Sequence, residues 1–244
     1  MKIRGANTIL RAVTNPLKNK HLKALASVAL LACGGKPQEV TPEPTAPLPT
    51  AGIAAQQVGV LPLTLVAAED SLHWEAVLGD RRAVLAKSDS IIGTLLRARA
   101  PEVTWVLPDE LRRVARRAPG IAPAPDQMGT AIMFHPTKQR PEMVPDPLRS
   151  ELRTLAALVG GGRYALIPAG LTYRRAIASG GGPGSVGAQR ATPLPHAVAT
   201  AELTMVLVDV RTGRVGFRTV ARGEGDDPWA ALTRAVKSLT PGLP

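Results

Sequence analysis

The sequence predicts one α/β domain with a mixed sheet over residues 57–244. Three observations carry this. Short apolar runs of strand length alternate with segments of helical periodicity, two strand patterns near the C-terminus flank a three-residue hairpin loop, and acidic residues, twice followed by proline, mark helix starts. Hydrophobic residues make up 45% of the chain but aromatics only 3%, so the core is expected to be Ala, Val and Leu. The 23 glycines and 23 prolines predict several irregular stretches.

The first strand is read from Val58 to Val66, a dense apolar run of the kind buried on both faces. Asp80 is placed to cap a helix to about Arg99, with Val84, Leu85, Ile91, Ile92, Leu95 and Leu96 at helical spacing. Val103–Leu107 forms the next strand. A helix from Pro108 or Asp109 then turns Leu111 and Val114 inward and Arg112, Arg113, Arg116 and Arg117 outward. Residues 119–147 hold seven prolines and are expected to be a long loop packed over the domain.

Asp146 and Pro147 read as cap and first residue of a helix through Val159, with Leu148, Leu152, Leu155 and Val159 inward and Gly160–Gly162 stopping it. Tyr164–Tyr173 is a strand bent near Pro168 and Gly170, and a Gly- and Ser-rich loop follows within 179–198. Ala201–Val210 and Arg214–Arg222 flank Arg211-Thr212-Gly213, a hairpin loop with glycine where left-handed φ is required. Pairing 210 with 214 sets Leu203, Met205, Leu207, Val215 and Phe217 on one face. The same register puts Glu202 opposite Arg222 on the other face, where Arg218 also projects. A final helix starts at Asp227-Pro228, with Trp229, Leu232, Val236 and Leu239 inward.

Ahead of this domain the composition changes. Residues 24–32 are an uncharged apolar run, preceded by a basic stretch and followed by Cys33-Gly34-Gly35, which is signal-peptide order. Nine residues are too few to span the hydrocarbon core of a bilayer, which takes about 20. Of the 30 basic residues, Lys2, Arg4, Arg11, Lys18, Lys20 and Lys23 lie in 1–32, which holds no acid. The rest of the chain has 24 basic residues against 19 acidic, so the formal +11 falls to +5 and the case for nucleic acid falls with it. Residues 33–56, with prolines at 37, 42, 44, 47 and 49, read as a tether.

Leu30-Leu31-Ala32-Cys33 resembles the lipobox of bacterial lipoprotein precursors. The resemblance implies cleavage after Ala32 and diacylglyceryl on the Cys33 sulfur. A further acyl chain such as palmitate on the new α-amine is often present, and two or more chains hold a protein stably at a membrane where one does not. The basic stretch is long for such a leader, and a start codon nearer Leu17 or Leu22 would leave the lipobox untouched. Gly34, where some bacteria place an inner-membrane retention Asp, implies sorting to an outer membrane, facing the periplasm, in an organism that has one.

Within the domain, Val58-Gly-Val-Leu-Pro, Thr104-Trp-Val-Leu-Pro, Arg163-Tyr-Ala-Leu-Ile-Pro and Leu207-Val-Asp-Val-Arg-Thr-Gly-Arg-Val before a last helix form a recurring pattern. It resembles the domain shared by curli-secretion-pore lipoproteins, penicillin-binding-protein activator lipoproteins and the N-terminal domain of the Tol-associated propeller protein. That resemblance implies a non-enzymatic envelope protein that binds other envelope proteins or self-assembles, homo-oligomers included.

The residues themselves support no catalytic or cofactor site. His73, His135 and His196 lack metal-ligand spacing, and Gly182–Gly187 misses the spacing of a hydrolase elbow. Glu69-Asp70, Asp109-Glu110 and Asp226-Asp227 fall at element ends, where capping explains them. Trp74, Trp105 and Trp229 are expected as core anchors, and no cofactor, metal or nucleic acid is expected. The expected sites are Cys33 for lipid and, as a partner surface, Arg112, Arg113, Arg116, Arg117, Arg218 and Arg222, with ordinary solvated helix surface as the competing reading. Two alternatives stay open: an envelope hydrolase using acids that spacing does not reveal, and a periplasmic ligand-binding lipoprotein with an apolar cleft near residues 119–147.

Overall fold

The computed structural model describes residues 45–134, 142–176 and 198–240, all within one compact unit, Glu43–Pro244. Cys33 and Ala32, His135, His196 and most of the 179–198 loop lie outside the described residues.

The fold is mixed α/β, as the sequence predicts. Six strands form one sheet: β1 (Gln57–Val60), β2 (Val66–Ala68), β3 (Thr104–Val106), β4 (Tyr164–Arg175), β5 (Ala199–Asp209) and β6 (Arg214–Gly225). Their order is β3-β1-β4-β5-β6, and β2 pairs with the far end of β4. β1 runs parallel to both β3 and β4, β2 runs parallel to β4, and β4, β5 and β6 are antiparallel.

The helices are α1 (Glu75–Leu78), α2 (Arg81–Arg99), α3 (Pro108–Arg117), α4 (Leu148–Leu158) and α5 (Pro228–Leu239). Each sheet face carries its own core. Leu203, Met205 and Leu207 of β5 pack with Ile92 and Leu96 of α2 and Leu232, Val236 and Leu239 of α5. Val206, Val208 and Val210 pack on the other face with Leu148, Leu152 and Leu155 of α4 and with Met128 and Met133. Alternation along a buried central strand thus builds a three-layer domain.

The caps form as expected at two helices. Asp80 accepts the Ala83 amide at 3.0 Å, and Asp227 accepts those of Trp229 and Ala230 at 2.8 and 3.0 Å, with Pro228 at the first helical position. At α4 the expectation fails: Pro147 itself occupies the cap position after a cis Asp146–Pro147 bond, and Asp146 does not cap. Gly160 and Gly161, at φ +101° and +83°, end that helix as foreseen.

Three further expectations are corrected. The run 58–66 is not one strand. It breaks over 61–65, where Pro62 has no amide to donate, into β1 and β2, which pair with successive parts of β4 on either side of its Pro168/Gly170 irregularity. The hairpin register holds from Glu202↔Arg222 to Leu207↔Phe217, then slips by one to Val208↔Val215. Val215 therefore joins the opposite core from Leu203, Met205, Leu207 and Phe217. Lastly, the tether does not reach residue 56. The Leu48 amide donates to the Leu239 carbonyl at 2.8 Å, Leu48 and Ile53 are buried, and Thr45 Oγ1 bridges the Val220 carbonyl and Arg222 amide at the edge of β6.

The hairpin turn is held by Asp209. Its Oδ1 accepts the amides of Arg211 and Thr212 at 2.9 and 3.0 Å, and the Arg163 guanidinium donates to Oδ2 at 2.9 Å. Burial works to raise this carboxyl, but the Thr212 amide and Arg163 outweigh it and hold it below its ordinary range. Gly213 closes the turn at φ +76°.

Candidate functional site

Of the six arginines expected on a partner surface, three are solvent-exposed. Arg113, Arg116 and Arg117 are exposed along α3, whose opposite side seats the buried Leu111. Arg112 is not among them. Its side chain is only 20% exposed and ties three segments together: Nη2 donates to Asp89 of α2 at 2.6 Å and to Asp126 at 2.7 Å, and Nη1 donates to Asp109 at 2.8 Å. Helical spacing placed Arg112 at the margin of the polar face, and a buried acid from another helix drew it in.

Asp89 is that acid. It is 6% exposed, its Oδ1 accepts the Leu63 amide at 2.8 Å, and Oδ2 accepts from Arg112. Burial pushes its carboxyl up to about 6, against the lowering effect of the Leu63 amide and Arg112. Hydrogen bonding to Asp126 is the main reason the Arg112 guanidinium holds its proton even more firmly than usual. Every oxygen of this buried carboxylate is engaged, so it clasps α2, α3 and the 118–134 segment rather than presenting itself to a substrate.

The two β6 arginines are half-buried. Arg218 Nη1 donates to the Met133 carbonyl, and Arg222 Nε donates to Glu202 at 3.0 Å, with Arg174 on the other Glu202 oxygen at 3.5 Å. The Glu202–Arg222 pairing foreseen from the hairpin is therefore made. Arg222 thus pairs across strands and Arg218 ties β6 to the Thr130–Met133 turn, unlike the solvated row on α3.

Of the three tryptophans, only Trp105 is a buried anchor, its Nε1 donating to the Ala100 carbonyl at 2.9 Å. Trp229 is half-exposed with the Lys87 ammonium 4.2 Å from its ring centre. Trp74 packs edge-on to Tyr173 at 5.4 Å and lines an open cleft of about 350 Å³ between β2 and the α1–α2 corner. The ligand-binding alternative called for a cleft near residues 119–147, whereas this one lies on the β2 side. Sequence reading missed it because the four-residue helix α1 has no period to detect. Among the described residues no group of three acids, histidines or cysteines could hold a metal ion, and no helix is long and apolar enough to cross a membrane.

No family model matches the chain, and no curated protein matches it. Among solved structures it is similar to the C-terminal domain of LpoB from Salmonella enterica, with 16% identity and a TM-score of 0.30 over 71% of this chain and 84% of that one. It is also similar to a PelC dodecamer from Paraburkholderia phytofirmans, with 12% identity and a TM-score of 0.31 over 76% and 88% of the two chains. A third likeness, to the hypothetical protein CT253 from Chlamydia trachomatis, has 12% identity and a TM-score of 0.30 over 69% and 72%. At these scores the likenesses carry no inference about function.

Proposed function

We propose that this chain is a lipid-anchored lipoprotein of the cell envelope whose α/β domain binds other envelope proteins or further copies of itself without catalysis. The observation that carries the reading is the order basic stretch, apolar run, Leu30-Leu31-Ala32-Cys33. The chain's one cysteine has no internal disulfide partner, and it stands where a lipoprotein signal peptidase would cut. Gly34 directs the anchored protein to the outer membrane, facing the periplasm, where the organism has one. The proline-rich composition between Cys33 and Thr45 suits a tether. Arg113, Arg116 and Arg117, on a helix fixed in place by Arg112, supply a basic face toward an acidic partner.

Cys33→Ala is the test. The substitution is expected to abolish metabolic labelling with fatty acid and to leave the uncleaved precursor accumulating. Normal processing and continued membrane attachment of the variant would refute the anchor.

A further inference from the structure

The sheet has an unfilled row. β1 is flanked by β3 on one side and β4 on the other, while β2 continues along β4 with no described strand on its outer side. The hydrogen bonds define which groups face that side. The Leu65 carbonyl accepts the Leu171 amide at 3.0 Å, and the Glu69 amide donates to the Tyr173 carbonyl at 2.9 Å. With Val66 opposite Leu171 and Ala68 opposite Tyr173, parallel geometry turns the N–H and C=O of Ala67 toward β4. Those of Val66 and Ala68 turn outward. The Thr64 carbonyl follows the same alternation, and there the outward group is already capped by Arg81 Nη2 at 2.8 Å.

The space beside this edge is the 350 Å³ cleft, which Trp74, Leu78 and Val84 line with apolar surface. Its rim is acidic. Glu69, Asp70 and Glu75 are all exposed there, with one Glu69 carboxylate oxygen accepting the Arg175 amide at 3.0 Å. The cationic residue lining it, Arg81, is occupied by the Thr64 carbonyl.

We propose that the β2 edge and this cleft form a docking site for an extended basic segment of a partner protein, added as a strand beside β2. The outward N–H and C=O of Val66 and Ala68 bond its backbone. Alternate side chains settle on Trp74 and Leu78, and Lys or Arg residues meet Glu69, Asp70 and Glu75. The acidic rim selects for a cationic strand. The site belongs to the domain and is assayed on purified protein, so it stands or falls separately from the Cys33 anchor.

Selection of short random peptides on the purified full chain, followed by affinity measurement, tests this. Selected peptides are expected to alternate apolar with Lys or Arg residues and to slow amide exchange at Val66 and Ala68. Glu75→Lys, an exposed change, should weaken binding about tenfold, and Ala68→Pro, which removes an outward N–H without touching the β4 ladder, by at least about as much. Should Ala68→Pro fail to fold, Glu75→Lys decides. No binders, acidic binders, or binders indifferent to Glu75→Lys would overturn the proposal.

Discussion

Gly223→Val is expected to cost about 4 kcal/mol or more and to leave little folded protein. β6 and α5 meet backbone to backbone at this point. A Cβ on Gly223 would fall within the Ala235 nitrogen and the Ala231 carbonyl oxygen, and one on Gly225 would lie 2.5 Å from the Ala231 nitrogen. Neither neighbour is a flexible side-chain tip, so α5 would have to lift from the sheet and uncover Leu232, Val236 and Leu239. Gly59→Ala is the matched control, because nothing lies within 4 Å of a Cβ there. It should change stability by less than about 1 kcal/mol. Urea denaturation of both variants gives the comparison, and equal midpoints would contradict the packing described for α5.

The second large effect is expected at Arg112→Met. The substitution strips the partner from a carboxylate that is 6% exposed, and it frees Asp126 and Asp109 from the same guanidinium. Breaking a buried pair on one side costs about 3–5 kcal/mol. The sign of its pH dependence follows from Asp89. Folded, this carboxyl titrates near 6, against an ordinary value of 3.8, so between the two the folded chain holds more protons and stability falls as pH rises. Loss of Arg112 lifts the folded value further and extends that window upward. The deficit of the variant should therefore be larger at pH 8 than at pH 5, read from urea midpoints at each pH. A deficit that does not change with pH would mean that Asp89 is not the group left exposed to the loss.

Where local chemistry decides the structure, the sequence was readable. Asp80 and Asp227 cap because their side chains suit orphan amides in any context, and Gly213 ends the hairpin because the turn needs positive φ. The pairing Glu202↔Arg222 is made as read, although the strands close at Asp209↔Arg214 and reach that register only through the irregularity at Leu207/Val208. Features decided by distant partners were not readable. Pro62 within an apolar run is compatible with a bent strand, and only pairing with an irregular β4 splits it into β1 and β2. The slip that sends Val215 to the other core is a one-residue irregularity invisible to alternation. Arg112 looked like its neighbours Arg113 and Arg116 because its attraction to Asp89, 23 positions away, has no periodic signature.

For Cys33 the residues alone carried the reading, since a lipobox is recognised as a local string by an enzyme and not by the fold. Intact-mass measurement of the protein extracted from membranes tests it most directly. A mature chain beginning at Cys33 and heavier than its sequence by a diacylglyceryl group, with or without a further acyl chain, is the predicted result. A chain that retains residues before Cys33, or one that carries that cysteine as a free thiol, would contradict it.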